Sequence, residues 1–174
     1  KGVHVNAGTK FMSYSQQLVY NVETFAFTYD ILTATTIKIT GSNYGVRIGE
    51  DTTLTVDDIP STINNLSVTH IGANAFKDCI YLATVSIPGS VTTIEEKAFM
   101  NCSSVTVITI PSNVITIGLS VFEDCTSLAT LVFSGTSSCT SIGGNAFKNT
   151  ILETVTLPAS INTITPGTLS VIGS

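Results

Sequence analysis

The stretch that decides the fold is "IGANAFKDCIYLATVSIPGSVTT", residues 71–93. In this stretch a cysteine follows a phenylalanine by three residues. The same offset occurs three times along the chain, at Phe76/Cys79, Phe99/Cys102 and Phe122/Cys125. A catalytic or metal-binding thiol is needed once, or in a cluster with fixed ligand spacing. A thiol that returns with every copy of a pattern therefore indicates architecture rather than chemistry.

The pattern around each phenylalanine repeats with a nearly constant period. Phe147 continues the series, and the intervals between successive phenylalanines are 23, 23 and 25 residues. An isoleucine begins each copy, at Ile71, Ile94, Ile117, Ile142 and Ile164. One copy of this length cannot bury its apolar face alone, so neighbouring copies must stack. The sequence therefore predicts a solenoid in which each copy makes one coil.

Each copy also carries one predicted strand with a pattern close to L-x-x-V-x-I-P. The four versions are Leu82/Val85/Ile87, Val105/Ile108/Ile110, Leu128/Leu131/Phe133 and Leu152/Val155/Leu157. Pro88, Pro111 and Pro158 are expected to end three of these strands, because proline cannot donate to a ladder. The third copy has two extra residues in "SGTSSC", predicted as a loop, and the fourth lacks one residue before Leu152.

Side chains alternate across a strand, so the residues between these apolar positions should point outward from a concave sheet. They are Thr84, Ser86, Val107, Thr109, Thr130, Val132, Thr154 and Thr156. Strand preference alone explains threonine and valine at such positions. Alternatively, a flat uncharged concave surface accepts a protein partner, as solenoid surfaces commonly do. An exposed apolar face or an unpaired edge of the sheet could equally drive self-association.

The repeat resembles the BspA-like leucine-rich repeats, whose pattern is close to I-G-x-x-A-F-x-x-C-x-x-L-x-x-V-x-I-P-x-S-V-x-x. The match covers residues 71–164, and "IPSTINNLSVTHIGANAF" resembles the lead-in that precedes the first full repeat. The resemblance implies a right-handed, curved leucine-rich-repeat solenoid, mostly β with very short helical turns. It further implies a bacterial or protist protein, secreted or displayed at the cell surface, that acts as an adhesin or host-protein binder.

Four segments are predicted along the chain. Residues 1–19 are unplaced, residues 20–70 form an N-terminal β cap and lead-in, and residues 71–163 hold four repeats of about 23 residues. Residues 164–174 are a degenerate C-terminal cap or a shortened repeat, with Leu169 at the phenylalanine position. Within the cap, period-two alternation predicts two antiparallel strands around Phe25/Phe27 and Ile37/Ile39, followed by a turn over 57–65.

Composition excludes two classes of partner. Hydrophobic residues make up 43% of the chain, charged residues only 11%, and the net charge is −5. The seven lysine and arginine residues are dispersed, whereas nucleic-acid binding requires clustered cations, so no nucleic acid is expected. No apolar run reaches the roughly 18 residues that a membrane-spanning helix requires. The N-terminus "KGVHVNAGTK" has no apolar core typical of a signal peptide.

The four cysteines are predicted to be buried free thiols, with one disulfide as the alternative. Stacked parallel side chains keep their Cβ atoms too far apart for an easy disulfide. Thr150 takes the cysteine position in the fourth copy, and Cys139 takes the place of Val91 in its own copy. No C-x-x-C or Cys/His pairing occurs, so neither zinc nor another cofactor is expected.

The remaining polar residues offer no catalytic set. His70 is predicted to be solvated, and neither it nor His4 has a second base nearby in the pattern. Asp57-Asp58 and Glu95-Glu96 are adjacent pairs, whose side chains point to opposite sides of an extended chain. Two glycosylation sequons occur, "NLS" at 65–67 and "NCS" at 101–103. In a bacterial protein they carry no meaning, and access to the second would be poor beside a buried Cys102.

The sequence therefore favours a non-enzymatic protein-interaction module that binds through the concave face. The alternative is a structural spacer or self-assembling stalk that displays another domain.

Overall fold

The computed structural model describes residues 16–20, 25–42, 54–56 and 59–168, and the regular structure within these ranges consists of strands. The strands are β1 (Gln16–Tyr20), β2 (Phe25–Ile31), β3 (Thr36–Ser42), β4 (Leu54–Val56), β5 (Thr62–Ile63), β6 (Leu66–Ile71), β7 (Leu82–Ser86), β8 (Thr93–Ile94), β9 (Val107–Ile110), β10 (Thr116–Ile117), β11 (Thr130–Phe133), β12 (Ser141–Ile142) and β13 (Thr163–Ile164). No helix occurs in the described ranges, so hydrogen-bonded turns take the place of the expected short helical turns.

The strands form two sheets, as the solenoid prediction requires. The large sheet has the order β1-β2-β3-β6-β8-β10-β12-β13, with β5 paired to β6. The small sheet has the order β11-β9-β7-β4. All strand pairs between successive coils are parallel. We number the coils 1 (71–93), 2 (94–116), 3 (117–141) and 4 (142–163).

Equivalent residues of successive coils are paired in register, which builds the core as columns. In the large sheet the column contains Ile71, Ile94, Ile117 and Ile142, each at most 1% exposed. In the small sheet it contains Val85, Ile108 and Leu131. Residues at alternate positions of these strands face outward, because the side-chain period of a strand is two.

The phenylalanines form a third column, which confirms the central prediction from the repeat. The rings of Phe76, Phe99, Phe122 and Phe147 stack with centroid separations of 4.9, 5.6 and 5.8 Å. The planes of successive rings differ by at most 11°. All four rings are at most 1% exposed, so this column is the centre of the core.

The turn around each phenylalanine forms a hydrogen-bonded third side of the coil. In coils 1–3 the backbone N–H of the phenylalanine donates to the next coil, as in Phe76 N to Ala98 O at 2.8 Å and Phe99 N to Val121 O at 3.0 Å. The residues two before and two after each phenylalanine have φ between 55° and 63°. They are Asn74, Asp78, Lys97, Asn101, Ser120, Asp124, Asn145 and Asn149. Asparagine and aspartate dominate here because they tolerate left-handed backbone better than other non-glycine residues.

An antiparallel cap covers the first coil. Strands β2 and β3 pair antiparallel, as predicted, and β3 joins the first repeat through parallel pairing with β6. Phe27 contacts Phe76 edge-on at 6.2 Å, so the cap continues the aromatic column. Strand β1 adds a further antiparallel strand that the sequence did not predict.

The predicted strand of the fourth copy is wrong. Residues 151–158 form no strand, although Leu152 is buried. In coils 1–3 two residues separate the cysteine from the first apolar strand position, but here Ile151 alone separates Thr150 from Leu152. The shorter connection shifts the segment out of register with β11. Pro158 therefore follows an irregular segment rather than a strand.

Candidate interaction surface

The outer face of the small sheet brings together six of the eight predicted contact residues. Register pairing aligns Thr84, Val107 and Thr130 in one column and Ser86, Thr109 and Val132 in the next. All six are exposed, including Val107 at 45% and Val132 at 43%. Three adjacent strands thus present an ordered, neutral array of hydroxyl and methyl groups. We call these six residues the outer array.

Thr154 and Thr156 are exposed as predicted but do not extend the outer array. Both lie in the irregular segment 151–158, which donates only one described backbone hydrogen bond to coil 3, from Ile151 N to Leu128 O at 3.1 Å. Thr154 and Thr156 therefore match Thr130 and Val132 in the sequence, but they do not occupy the corresponding positions in the sheet.

Charged groups are concentrated away from the outer array, mainly on the turns. Lys97 Nζ lies 2.8 Å from Glu96 Oε1, and Lys148 Nζ lies 2.7 Å from Glu123 Oε1. The hydrogen bond from Lys148, followed by one from Ser120, lowers the pKa of the Glu123 carboxyl. The hydrogen bond to Glu123 likewise raises the pKa of Lys148. Each of these charges is balanced within the turns, which leaves the small sheet uncharged on its outer face.

An open depression of about 350 Å³ adjoins the outer array at Ser86. Its lining is Ile59, Pro60, Ser61, Thr62, Ser86 and Pro88. No residue of this lining is titratable, so the depression offers shape and hydroxyl groups but no acid or base. The sequence contained a signal for it, because Ile59-Pro60 repeats the Ile87-Pro88 dipeptide one coil earlier.

The cysteines lie in the interior and are free thiols. Cys102 Sγ donates to Phe76 O, and Cys125 Sγ donates to Phe99 O, both at 3.1 Å. The hydrogen bond with Cys125 and burial raise the pKa of Cys102 well above its ordinary value, and burial raises the pKa of Cys139. Thiols in this state are poor nucleophiles. Cys102 and Cys125 tie successive coils together, which is the structural role that the periodicity of the cysteines indicated.

The other candidate groups do not converge. His70 is half-buried rather than fully solvated as predicted, and its Nδ1 lies 2.9 Å from Thr69 Oγ1. Burial lowers the pKa of His70, with Glu95 opposing this shift. Glu95 accepts from Ala73 N at 3.0 Å and faces Lys38, whereas Glu96 faces Lys97. His4 and Asp57-Asp58 lie outside the described residues.

Within the described ranges, no group of three or more histidine, cysteine, aspartate and glutamate side chains could hold a metal ion. The described part of the chain also lacks a helix that is long and apolar enough to cross a membrane.

The family model for the BspA-type leucine-rich repeat region matches residues 46–170 with six copies. The chain belongs to the BspA-type leucine-rich repeat family. The matched copies extend on both sides of residues 71–163, so the BspA-type repeat pattern is broader than the four coils that the isoleucine and phenylalanine spacing marks. Membership favours a protein-interaction or surface module, and repeats of this family are typically non-enzymatic.

Solved bacterial proteins, including leucine-rich repeat proteins, share the fold. A leucine-rich repeat protein from Bacteroides ovatus is 30% identical over 79% of this chain, with a TM-score of 0.66. The leucine-rich repeat protein of T. pallidum is 32% identical over 79%, with a TM-score of 0.67. This chain spans 35% and 61% of their respective lengths. The pneumococcal vaccine antigen PcpA is 22% identical over 88% of this chain and 47% of its own, with a TM-score of 0.55, and shares the fold alone. No curated protein matches the chain significantly.

Proposed function

We propose that this BspA-type chain is a non-enzymatic interaction module that docks a partner protein on the outer array. Thr84, Thr109 and Thr130 contribute one threonine from each of its three strands. The proposal extends to a secreted or cell-surface location and to adhesion to a host or partner protein. Support for that extension comes from the family and from the description of the similarly folded PcpA as a pneumococcal vaccine antigen.

The observation that carries the proposal is the ordered, exposed and uncharged character of the outer array. Three parallel strands repeat the same outward positions in register, and two of the six side chains are valines more than 40% exposed. Burying neutral hydroxyl and methyl groups avoids the large cost of desolvating unpaired charges. A partner with a flat, uncharged surface should therefore bind with an affinity that depends little on salt concentration, because salt weakens only interactions between charges.

The depression beside Ser86 is a recess next to an otherwise flat surface. Ile59, Pro60 and Pro88 contribute apolar walls, and Ser61 and Thr62 contribute hydroxyl groups. A single apolar side chain of the partner would fit there, next to the outer-array residues of β7. A few side chains seated in such recesses contribute much of the binding energy of many protein interfaces.

The test compares capture of extracellular-matrix proteins by the parent and by a variant with Thr84, Thr109 and Thr130 all changed to lysine. The variant should lose the partner, because three charges would have to be desolvated or would repel the docking surface. A matched control changes Thr126, Thr136 and Thr163 to lysine, since these threonines are also exposed but lie outside the small sheet. Equal capture by the parent and the outer-array variant would refute the assignment of this face.

Solution mass separates partner docking from self-assembly of the same surface. Docking predicts a monomer in the absence of a partner, whereas a stalk or spacer that assembles through its repeats predicts a defined oligomer. Light scattering on the parent and on the triple lysine variant distinguishes these outcomes. An oligomer that the variant abolishes would replace the proposed partner with a second copy of this chain.

A further inference from the structure

The N-terminal cap meets the repeats along one row of side chains on the outer face of the large sheet. Lys38 of β3 is the register partner of His70 in β6, and His70 is the register partner of Thr93 in β8. On its other side Lys38 pairs with Asp30 of β2. All four side chains are half-buried. A lysine and a histidine therefore lie side by side on neighbouring strands, where the cap joins coil 1.

Glu95 connects the cap to coils 1 and 2 across this row. Its Oε1 lies 3.4 Å from Lys38 Nζ, and its Oε2 accepts a hydrogen bond from Ala73 N at 3.0 Å. The stem of Lys38 passes beside Gly72, where an added Cβ would lie 3.2 Å from Lys38 Cγ and Cδ. Both carboxylate oxygens of Glu95 are thus bound to groups other than His70.

His70 lies between the two ends of this ion pair. Strand β6 carries His70 and separates β3, which carries Lys38, from β8, which precedes Glu95. Burial lowers the pKa of His70, while Glu95 opposes this shift and Lys38 adds to it. Among the described residues, β5 contributes no charge, and Asp30 lies beyond Lys38. Lys38 and Glu95 are therefore the charged groups that face His70 from the strands packed beside it.

A proton on His70 places a second cation beside Lys38, in a half-buried site. The carboxylate that could offset the new charge is already bound to Lys38 and to Ala73. Separation of β3 from β6 returns His70 to water, which removes the burial that disfavours its charged form. Acid therefore favours the separated state. Because the pKa of His70 is lowered in the docked state, stability is lost as pH falls below the ordinary value of 6.5, and the loss is complete below the lowered value.

We propose that Lys38, His70 and Glu95 form an acid-sensitive latch, which holds the N-terminal cap on the repeats at neutral pH and loosens it when His70 takes up a proton. The response is local, because residues 71–163 contain no histidine. The latch lies on the large sheet, whereas the outer array lies on the small sheet. Its action is therefore independent of partner docking on the outer array.

Amide hydrogen exchange at pH 7 and at pH 5.5, corrected for the intrinsic pH dependence of exchange, tests the latch. Carboxylates remain largely ionised over this interval, whereas histidine titrates within it. Amides of β3 should lose protection in acid, whereas amides of β9 should keep it. His70→Gln should abolish the loss in β3, since glutamine stays neutral. His4→Gln is the matched control, because it removes the other histidine of the chain, and it should leave the loss unchanged.

NMR titration of the His70 ring in the His4→Gln background gives a readout that a purely structural role would not change. The pKa of His70 should rise when Lys38→Met removes the neighbouring cation, and it should fall when Glu95→Gln removes the opposing charge. Lys38→Met keeps the histidine, so its titration tests the latch even if His70→Gln folds poorly. Equal loss of β3 protection in His70→Gln and the parent, or a pKa of His70 that Lys38→Met does not raise, would overturn the proposal.

Discussion

Coils 1–3 and coil 4 carry nearly the same pattern, yet only the first three are held on all three sides. Coil 4 keeps the large sheet through pairing of β12 with β10, and it keeps the aromatic column through Phe147. It loses the small sheet, because residues 151–158 form no strand, and Ile151 is 57% exposed. The comparison teaches that the three sides of a coil are partly independent. One missing residue breaks one side and leaves the other two in place.

The largest expected effect comes from removing a ring inside the aromatic column. Phe99→Ala should cost about 3–5 kcal/mol, because the ring is fully buried and the cavity would not close. Phe99 is stacked on both sides, at 4.9 Å from Phe76 and 5.6 Å from Phe122. Phe147→Ala removes one stacked contact from a coil that is already loose, so we expect a clearly smaller loss. Urea unfolding followed by circular dichroism measures both, and equal losses would show that coil 4 is as tightly integrated as coil 2.

The second effect concerns the side on which coil 4 remains tightly attached. A Cβ at Gly143 would lie 2.5 Å from the carbonyl carbon of Gly118 and from Leu119 N, distances that backbone atoms do not tolerate. Gly143→Ala should therefore push coil 4 away from coil 3 and cost about 2 kcal/mol. Gly89→Ala is the matched control, since a Cβ there meets nothing within 4 Å. A shift in the urea midpoint as small as that of the control would mean that coil 4 can move freely on this side as well.

How much of this could be predicted from the sequence depends on whether a feature follows the period. The aromatic column, the isoleucine column and the exposure of residues such as Thr84 and Val107 follow it, because stacking repeats each choice in every coil. The predicted strand at Leu152 failed although the missing residue before Leu152 was visible in the sequence. The prediction rested on the apolar pattern, which does not show that one residue fewer after Thr150 prevents pairing with the preceding strand.

Other features depended on contacts between distant residues. The half-burial of His70 and the ion pair between Glu123 and Lys148 come from the packing of neighbouring coils, which no local pattern contains. The β5–β6 hairpin did leave a local signal. The Asn64-Asn65 dipeptide is typical of a two-residue hairpin turn, yet the segment 57–65 was predicted as a turn without its flanking strands.

The third prediction concerns a variant that should restore the strand missing from coil 4. Inserting one serine between Thr150 and Ile151 gives coil 4 the same connection length as coils 1–3. The segment that follows should then pair with β11, and the added ladder bonds should stabilise the protein by about 1 kcal/mol. Amide hydrogen exchange should slow for residues 153–156, since protection reports local opening.

The control for this insertion places the same serine in the loop at 134–138, where the chain already carries two extra residues. That variant should show no new protection. If the Thr150 insertion also left exchange at 153–156 unchanged, a cause other than connection length would have to explain the missing strand.

The smallest effect tests a side-chain tie that joins coil 3 to coil 4. Glu123 accepts a hydrogen bond from Lys148, which lowers the pKa of Glu123. A carboxyl with a lowered pKa in the folded state stabilises the protein above its ordinary pKa, and this contribution is lost as pH falls through the lowered value. Glu123→Gln should therefore lower the melting temperature slightly at pH 7, and its difference from the parent should shrink in acid.

Glu153→Gln makes the same charge change on an exposed residue of coil 4 that has no ion pair with a described residue. If both variants lose the same amount at pH 7 and in acid, the Glu123–Lys148 pair does not hold coil 4 to coil 3, and the remaining attachment would rest on the large sheet and the aromatic column.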